Sequence, residues 1–189
     1  MYPNPGFPTY ESVKNILNLK NIESSETSFK VLVLNSPKNP TGYIQDNDNL
    51  ETTHLISKRL RVFNLSDEIY QLMTYNGEPA PSISYFDQGF KHTAVISGYS
   101  KAFSMTGWRI GYMISNEELC EKVTLLLQTT ISCTCTFAQK ACIGLLMDRP
   151  ESFYFYMQRL EENRDLIVAG LNSIKGINCP TPDGAFYVF

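Results

Sequence analysis

An α/β fold, with a mainly parallel sheet flanked by helices, is what this sequence predicts, and three observations carry it. Continuous apolar runs end in turn residues, stretches of helical character separate them, and the C-terminal half is a series of amphipathic helices. Val31-Leu32-Val33-Leu34 is apolar without alternation, as suits a strand covered on both faces, and it stops at Asn35-Ser36-Pro37. Asn49 to Leu60 reads as a helix. Arg61 to Ser66 and Thr93 to Ser97 read as the second and third strands, and Arg109 to Ile114 as a further one. Ser115 and Glu118 have capping-box spacing ahead of Leu119, Val123 and Leu126. A second helix spans Thr136 to Met147. The third opens at Pro150 and carries the apolar stripe Phe153, Met157, Leu160, Ile167, Leu171 and Ile174. Gly176 is its natural stop.

Composition narrows the function classes. The 189 residues are 43% hydrophobic and 12% aromatic, enough for a sizeable core. A net charge of −3 and the lack of a basic run argue against nucleic acid as a partner. No apolar stretch approaches the ~20 residues of a membrane span. The opening Met1-Tyr2-Pro3-Asn4-Pro5 lacks the features of a signal peptide, which points by default to the cytoplasm. The five cysteines fit no zinc spacing; Cys133-Thr134-Cys135 is a C-x-C with only His54 and His92 to help, so no metal site is expected. Glu23 to Ser28 is a short polar loop.

The chemistry-bearing run is Ser97-Gly98-Tyr99-Ser100-Lys101-Ala102-Phe103-Ser104-Met105-Thr106-Gly107-Trp108-Arg109-Ile110-Gly111-Tyr112. A lysine that attacks an aldehyde needs an unprotonated amine, hence partial burial or a nearby cation. Arg109 supplies such a cation, and its planar fork suits a phosphate dianion. An aldehyde and a phosphate on one small molecule describe pyridoxal 5'-phosphate. Most lysines are solvated surface charges, so Ser100-Lys101 alone is a weak signal. Its company strengthens it. Upstream stand Asn35-Ser36-Pro37-Lys38-Asn39-Pro40-Thr41-Gly42 and Asp67-Glu68-Ile69-Tyr70, with Asn39, Asp67 and Lys101 each just past an expected strand end. Ligands of such sheets bind at those ends.

These three blocks in this order resemble the class I/II aminotransferases, the pyridoxal phosphate enzymes of the aspartate aminotransferase fold. Pro3-Asn4-Pro5-Gly6-Phe7-Pro8-Thr9-Tyr10 and Pro182-Asp183-Gly184-Ala185-Phe186-Tyr187 extend the resemblance along the chain. It implies that Lys101 joins the cofactor's aldehyde and later moves a proton. Asp67 is implied to hold the ring-nitrogen proton, Asn39 and Tyr70 to bond the phenolic oxygen, and Ser100 and Arg109 to hold the phosphate. Ser97 is a weaker phosphate candidate, because Gly98 stands where some relatives carry a hydroxyl. Phe186 or Tyr187 lines the substrate side.

The resemblance also sets the expected organisation. Residues 1–149 are part of the large cofactor domain; residues 150–189 are the linking helix and the first strand, Gly184 to Phe189, of a smaller domain. The family's glycine-rich turn precedes Pro3 and its carboxylate-binding arginine lies beyond Phe189, so neither is in this sequence. Between Tyr10 and Lys30 the family has a helix, two strands and another helix, where only residues 11–29 stand; the interval reads as cut short near Asn15 to Leu19. The function implied is transfer of an amino group between an amino acid and a 2-oxo acid, in a homodimer. Two other readings stay open: a related lyase on the same cofactor, and a truncated, non-catalytic paralogue.

Overall fold

The computed structural model describes residues 1–20 and 30–189; the polar loop Glu23 to Ser28 lies outside the described residues. Four strands form one sheet in sequence order: β1 (Val31–Asn35), β2 (Phe63–Asp67), β3 (Thr93–Gly98) and β4 (Gly111–Ile114). The first three are parallel, and β4 runs antiparallel to β3. The expected mainly parallel α/β sheet is therefore present.

Helix α1 (Pro8–Ile16) occupies the start of the interval that reads as shortened. Leu17 N donates to Val13 O and Leu19 N to Lys14 O, so Asn15 to Leu19 close a helix end rather than enter a strand. Met1 instead lies along the outer edge of β1, its amine donating to Val31 O and its carbonyl accepting from Val33 N. That contact satisfies part of an otherwise open strand edge.

Helix α2 (Asn47–Leu60) is capped by Asp46, whose side chain accepts from Asn49 N, and buries Leu50, His54 and Ser57. It ends at Arg61 in the left-handed region, φ 55°. Arg61 and Val62 thus belong to the helix terminus, with Val62 N on Ser57 O, and β2 starts two residues later than the apolar pattern implies. Arg109 repeats this: φ 54° after the 3₁₀ turn Thr106–Trp108 delays β4 to Gly111. Helix α3 (Glu117–Thr130) is capped by Asn116 rather than by Ser115 of the capping box. Asn116 accepts from Leu119 N and donates to Phe90 O, while the Ser115 hydroxyl donates to Thr93 O. An asparagine that satisfies both ends of its amide outcompetes the serine as a cap.

Helix α4 (Thr136–Met147) has the bounds its sequence suggests, and α5 (Glu151–Asn172) follows Pro150. Of the stripe on α5 only Phe153 is fully buried, and Val168, outside the stripe, is the helix's other buried residue; Ile167 and Ile174 are about half exposed. Phe153 packs with Tyr70, Met73, Ala102 and Ala185, which binds α5 to the strand ends. A second cluster joins Tyr99, Met105 and Ile110 to Ala138 and Cys142 of α4. Residues 184–189 do not form the expected strand: their one ladder contact is the bridge between Thr74 and Gly184, because no extended partner runs beyond Thr74. No helix among the described residues is long and apolar enough to cross a membrane.

Candidate functional site

The carboxyl ends of β1, β2 and β3 form the floor of the site. Asn35 and Asp67 are register partners at the ends of β1 and β2. The Asn35 amide clamps the loops above them, donating to Asp67 O (3.0 Å) and accepting from Asn39 N (2.8 Å). The Asn-Pro-Thr-Gly turn is thus anchored to the strand that carries Asp67. Gly42, at φ 69°, completes the turn, and a β-carbon there would lie 2.3 Å from the Pro182 Cβ. Only glycine lets the C-terminal segment come this close. Asp183 N and Gly184 N both donate to Gly42 O, and Gly184 in turn leaves no space for a Cβ between Met73 O and Pro37. Two glycines therefore seat residues 182–187 against the strand ends.

Asp67 is half-buried, with its Oδ2 accepting the Tyr10 hydroxyl at 2.5 Å and its Oδ1 accepting Ile69 N at 3.3 Å. Burial pushes the carboxyl above its ordinary range, and these two hydrogen bonds pull it back. Tyr70, three residues on, is 3% exposed and meets the Tyr187 hydroxyl at 2.5 Å. Asn39 Nδ2 donates to that same Tyr187 oxygen at 3.1 Å. Lys101 Nζ lies 6.0 Å from the Tyr70 ring centre and 5.7 Å from that of Phe186, two rings 5.5 Å apart that border its amine on one side. Asn39, Asp67, Tyr70 and Lys101 thus share one strand-end surface, each from a different loop or from adjacent turns of one.

Ser100 and Arg109 flank the end of the antiparallel pair, where Gly98 is the register partner of Gly111 and Tyr99 N donates to Ile110 O. Arg109 is exposed, and its Nη1 donates to Thr106 O at 2.7 Å, which holds the guanidinium root in place. Ser97 is committed elsewhere: it is buried, and its hydroxyl donates to Glu68 O at 3.1 Å. A β-carbon at Gly98 would stand 2.8 Å from Ile110 O, so close approach of β4 accounts for the glycine.

Glu68 is 2% exposed, accepts the Ser66 and Ser82 hydroxyls, and is held above the usual carboxyl range by burial. It borders a cavity of about 190 Å³ that also touches Gln71, Tyr99, Tyr112 and Arg149. Its bonds tie β2 to the loop at Ser82, a structural role. Tyr10 and Tyr187 are the residues that sequence reasoning underrated. Both lie within the motif blocks at the two ends of the chain, yet nothing local marks their partners at Asp67 and Tyr70.

This donor set fits a phosphorylated pyridoxal: an amine beside two aromatic rings, a half-buried carboxyl, an amide and phenols on one side, and a serine and an arginine at the end of the β3–β4 pair. The profile of the family described as aminotransferase class I and II matches residues 7–189. The chain belongs to this family. The aspartate aminotransferase of Sulfolobus acidocaldarius is 34% identical over 175 residues, which are 92% of this chain and 43% of that protein. The probable aspartate aminotransferase of Methanocaldococcus jannaschii is 31% identical over 211 aligned positions, covering 100% of this chain and 55% of that one. Because 211 positions exceed the chain's 189 residues, that class I/II relative carries internal residues with no counterpart here. The crystal structure of the Rhizobium meliloti aspartate aminotransferase superposes with a TM-score of 0.88 at 26% identity, over 99% of this chain and 52% of that one. The chain spans about half the length of the family members it matches.

Proposed function

We propose that the protein is a pyridoxal 5'-phosphate-dependent aminotransferase that moves an amino group between an amino acid and a 2-oxo acid. The observation that supports it most is the shared placement of Asn39, Asp67 and Lys101 at the ends of three successive parallel strands. When bound, the cofactor supplies an electron sink for the substrate α-carbon. The chain's own residues do the rest. Lys101 offers the amine that holds the aldehyde and then carries a proton. Asp67 keeps the ring-nitrogen proton in place, and the Tyr10 hydroxyl on its Oδ2 holds the carboxylate's orientation. Asn39 and Tyr70 supply donors for the phenolic oxygen. Ser100 and Arg109 grip the phosphate as hydroxyl donor and bidentate cation.

The same reading has the protein work as a cytoplasmic homodimer, in keeping with the apolar side chains exposed on α3 to α5, Leu126, Phe137 and Phe155 among them. Absorbance tests the function directly. Protein loaded with pyridoxal phosphate should lose its near-visible band, and gain the shorter-wavelength pyridoxamine band, when an amino acid is added. A band unmoved by every amino acid tried would remove the proposal.

A further inference from the structure

The hydroxyls of Tyr70 and Tyr187 lie 2.5 Å apart, although the residues are 117 positions apart in the chain. Asn39 Nδ2 donates to the Tyr187 oxygen at 3.1 Å, and an amide nitrogen cannot accept in return. The three groups therefore converge on one oxygen that comes from the C-terminal segment. Two phenols in mutual contact hold two protons; one lies in the bond between them, and one is left over. The count is the same whichever phenol donates. The pair thus presents a single free O–H to a ligand, from Tyr70 if Tyr187 donates and from Tyr187 if Tyr70 does.

Tyr187 is held at this position from both sides. Ala185 N donates to Met73 O at 2.8 Å, and the Tyr75 hydroxyl donates to Ala185 O at 2.6 Å. The Tyr187 ring packs against Phe186 at 4.7 Å and edge-on against Tyr70 at 5.6 Å between centres. The segment that follows Tyr70 therefore fixes the residue that meets its hydroxyl. Burial and the neighbouring Tyr187 also raise the Tyr70 phenol far above its ordinary range, so it stays a neutral donor.

We infer that Tyr187 is a cofactor-binding residue, whose hydroxyl acts with that of Tyr70 as one donor to the cofactor's phenolic oxygen. The inference rests on the aminotransferase reading. It extends that reading by assigning the phenolic-oxygen site a third side chain, from the far end of the chain.

The test is a comparison of two ligands on the purified protein. Dissociation constants are measured by fluorescence quenching for pyridoxal phosphate and for 3-deoxypyridoxal phosphate, which lacks the phenolic oxygen. Tyr187→Phe keeps the ring and its packing. Because Tyr70 then keeps its own O–H free, this change should weaken pyridoxal phosphate only about twofold and leave the deoxy compound unchanged. Tyr70→Phe should behave alike through the Tyr187 hydroxyl, and the double variant, with no phenol left, should lose roughly tenfold, the scale of one hydrogen bond to a charged oxygen, because the pair is one donor that either phenol can supply. Equal weakening of both ligands would assign Tyr187 to packing alone and overturn the inference. So would a Tyr70→Phe variant already as weak as the double one, which would give the donor to Tyr70 alone. If the unsubstituted protein fails to attach pyridoxal phosphate at Lys101, the function reading falls first and the inference falls with it.

Discussion

Tyr10 donates its hydroxyl to Asp67 Oδ2 over 2.5 Å, joining helix α1 to the end of β2 across 57 residues. The bond holds one carboxylate oxygen and leaves the other to Ile69 N at a longer 3.3 Å. It also turns a short N-terminal helix, with no fully buried residue of its own, into part of the site wall.

Tyr10→Phe should therefore destabilise the fold by about 1–2 kcal/mol, since it strands part of a half-buried carboxylate. Urea unfolding of the two proteins at neutral pH measures this. The Asp67 carboxyl should also titrate higher in the variant, because the lost hydrogen bond is one of the two that lower it. Carbon-detected NMR of the side chain would read that shift, and a shift downward would contradict the geometry.

Asp67 and Glu68 both sit above the ordinary carboxyl range through burial, which fixes the sign of a pH dependence. A carboxyl raised in the fold favours the protonated form. The stability it contributes is complete below the unfolded value of about 4 and falls as pH climbs through the raised one. Asp67→Asn, a permanent neutral mimic, should match the unsubstituted protein below about pH 4 and be more stable than it at pH 7. Chemical denaturation at the two pH values decides; a variant less stable at pH 7 would reverse the sign.

Gly42→Ala should cost more than about 1 kcal/mol, because φ 69° disfavours a side chain and the new Cβ would meet Pro182 at 2.3 Å. The same change should loosen residues 182–187 from the strand ends. Faster proteolysis at the C-terminal segment, beside a lowered melting temperature, is the expected result.

How legible these features were follows from their range. The apolar runs of β1 and β3 and the helix Thr136–Met147 are local signals, and their bounds agree with the structure to within a residue. The starts of β2 and β4 were misplaced for one shared reason. Arg61 and Arg109 adopt left-handed backbone, at φ 55° and 54°, which an arginine does not advertise. The strand-end placement of Asn39, Asp67 and Lys101 was readable because each lies in the turn just past a strand-forming run. The partners of Asp67 and Tyr70 were not, since Tyr10 and Tyr187 reach them only after the chain has folded back on itself. Ser97 shows the reverse failure: its hydroxyl looked free in the sequence and is used by Glu68 O.

Arg109→Ala should loosen cofactor retention before it slows turnover, because its proposed contact is with the phosphate and not with the reacting amine. A dissociation constant raised about tenfold or more, with turnover at saturating cofactor changed less, is expected for the loss of a bidentate phosphate contact. Unchanged retention would remove Arg109 from the phosphate site.

The central claim is that Lys101 carries the cofactor, and borohydride trapping tests it most directly. Protein mixed with pyridoxal phosphate, reduced, digested and sequenced by mass spectrometry should carry the pyridoxyl label on Lys101, and Lys101→Ala should carry none while keeping its fold. Label on another lysine, or the same labelling in Lys101→Ala, would contradict it.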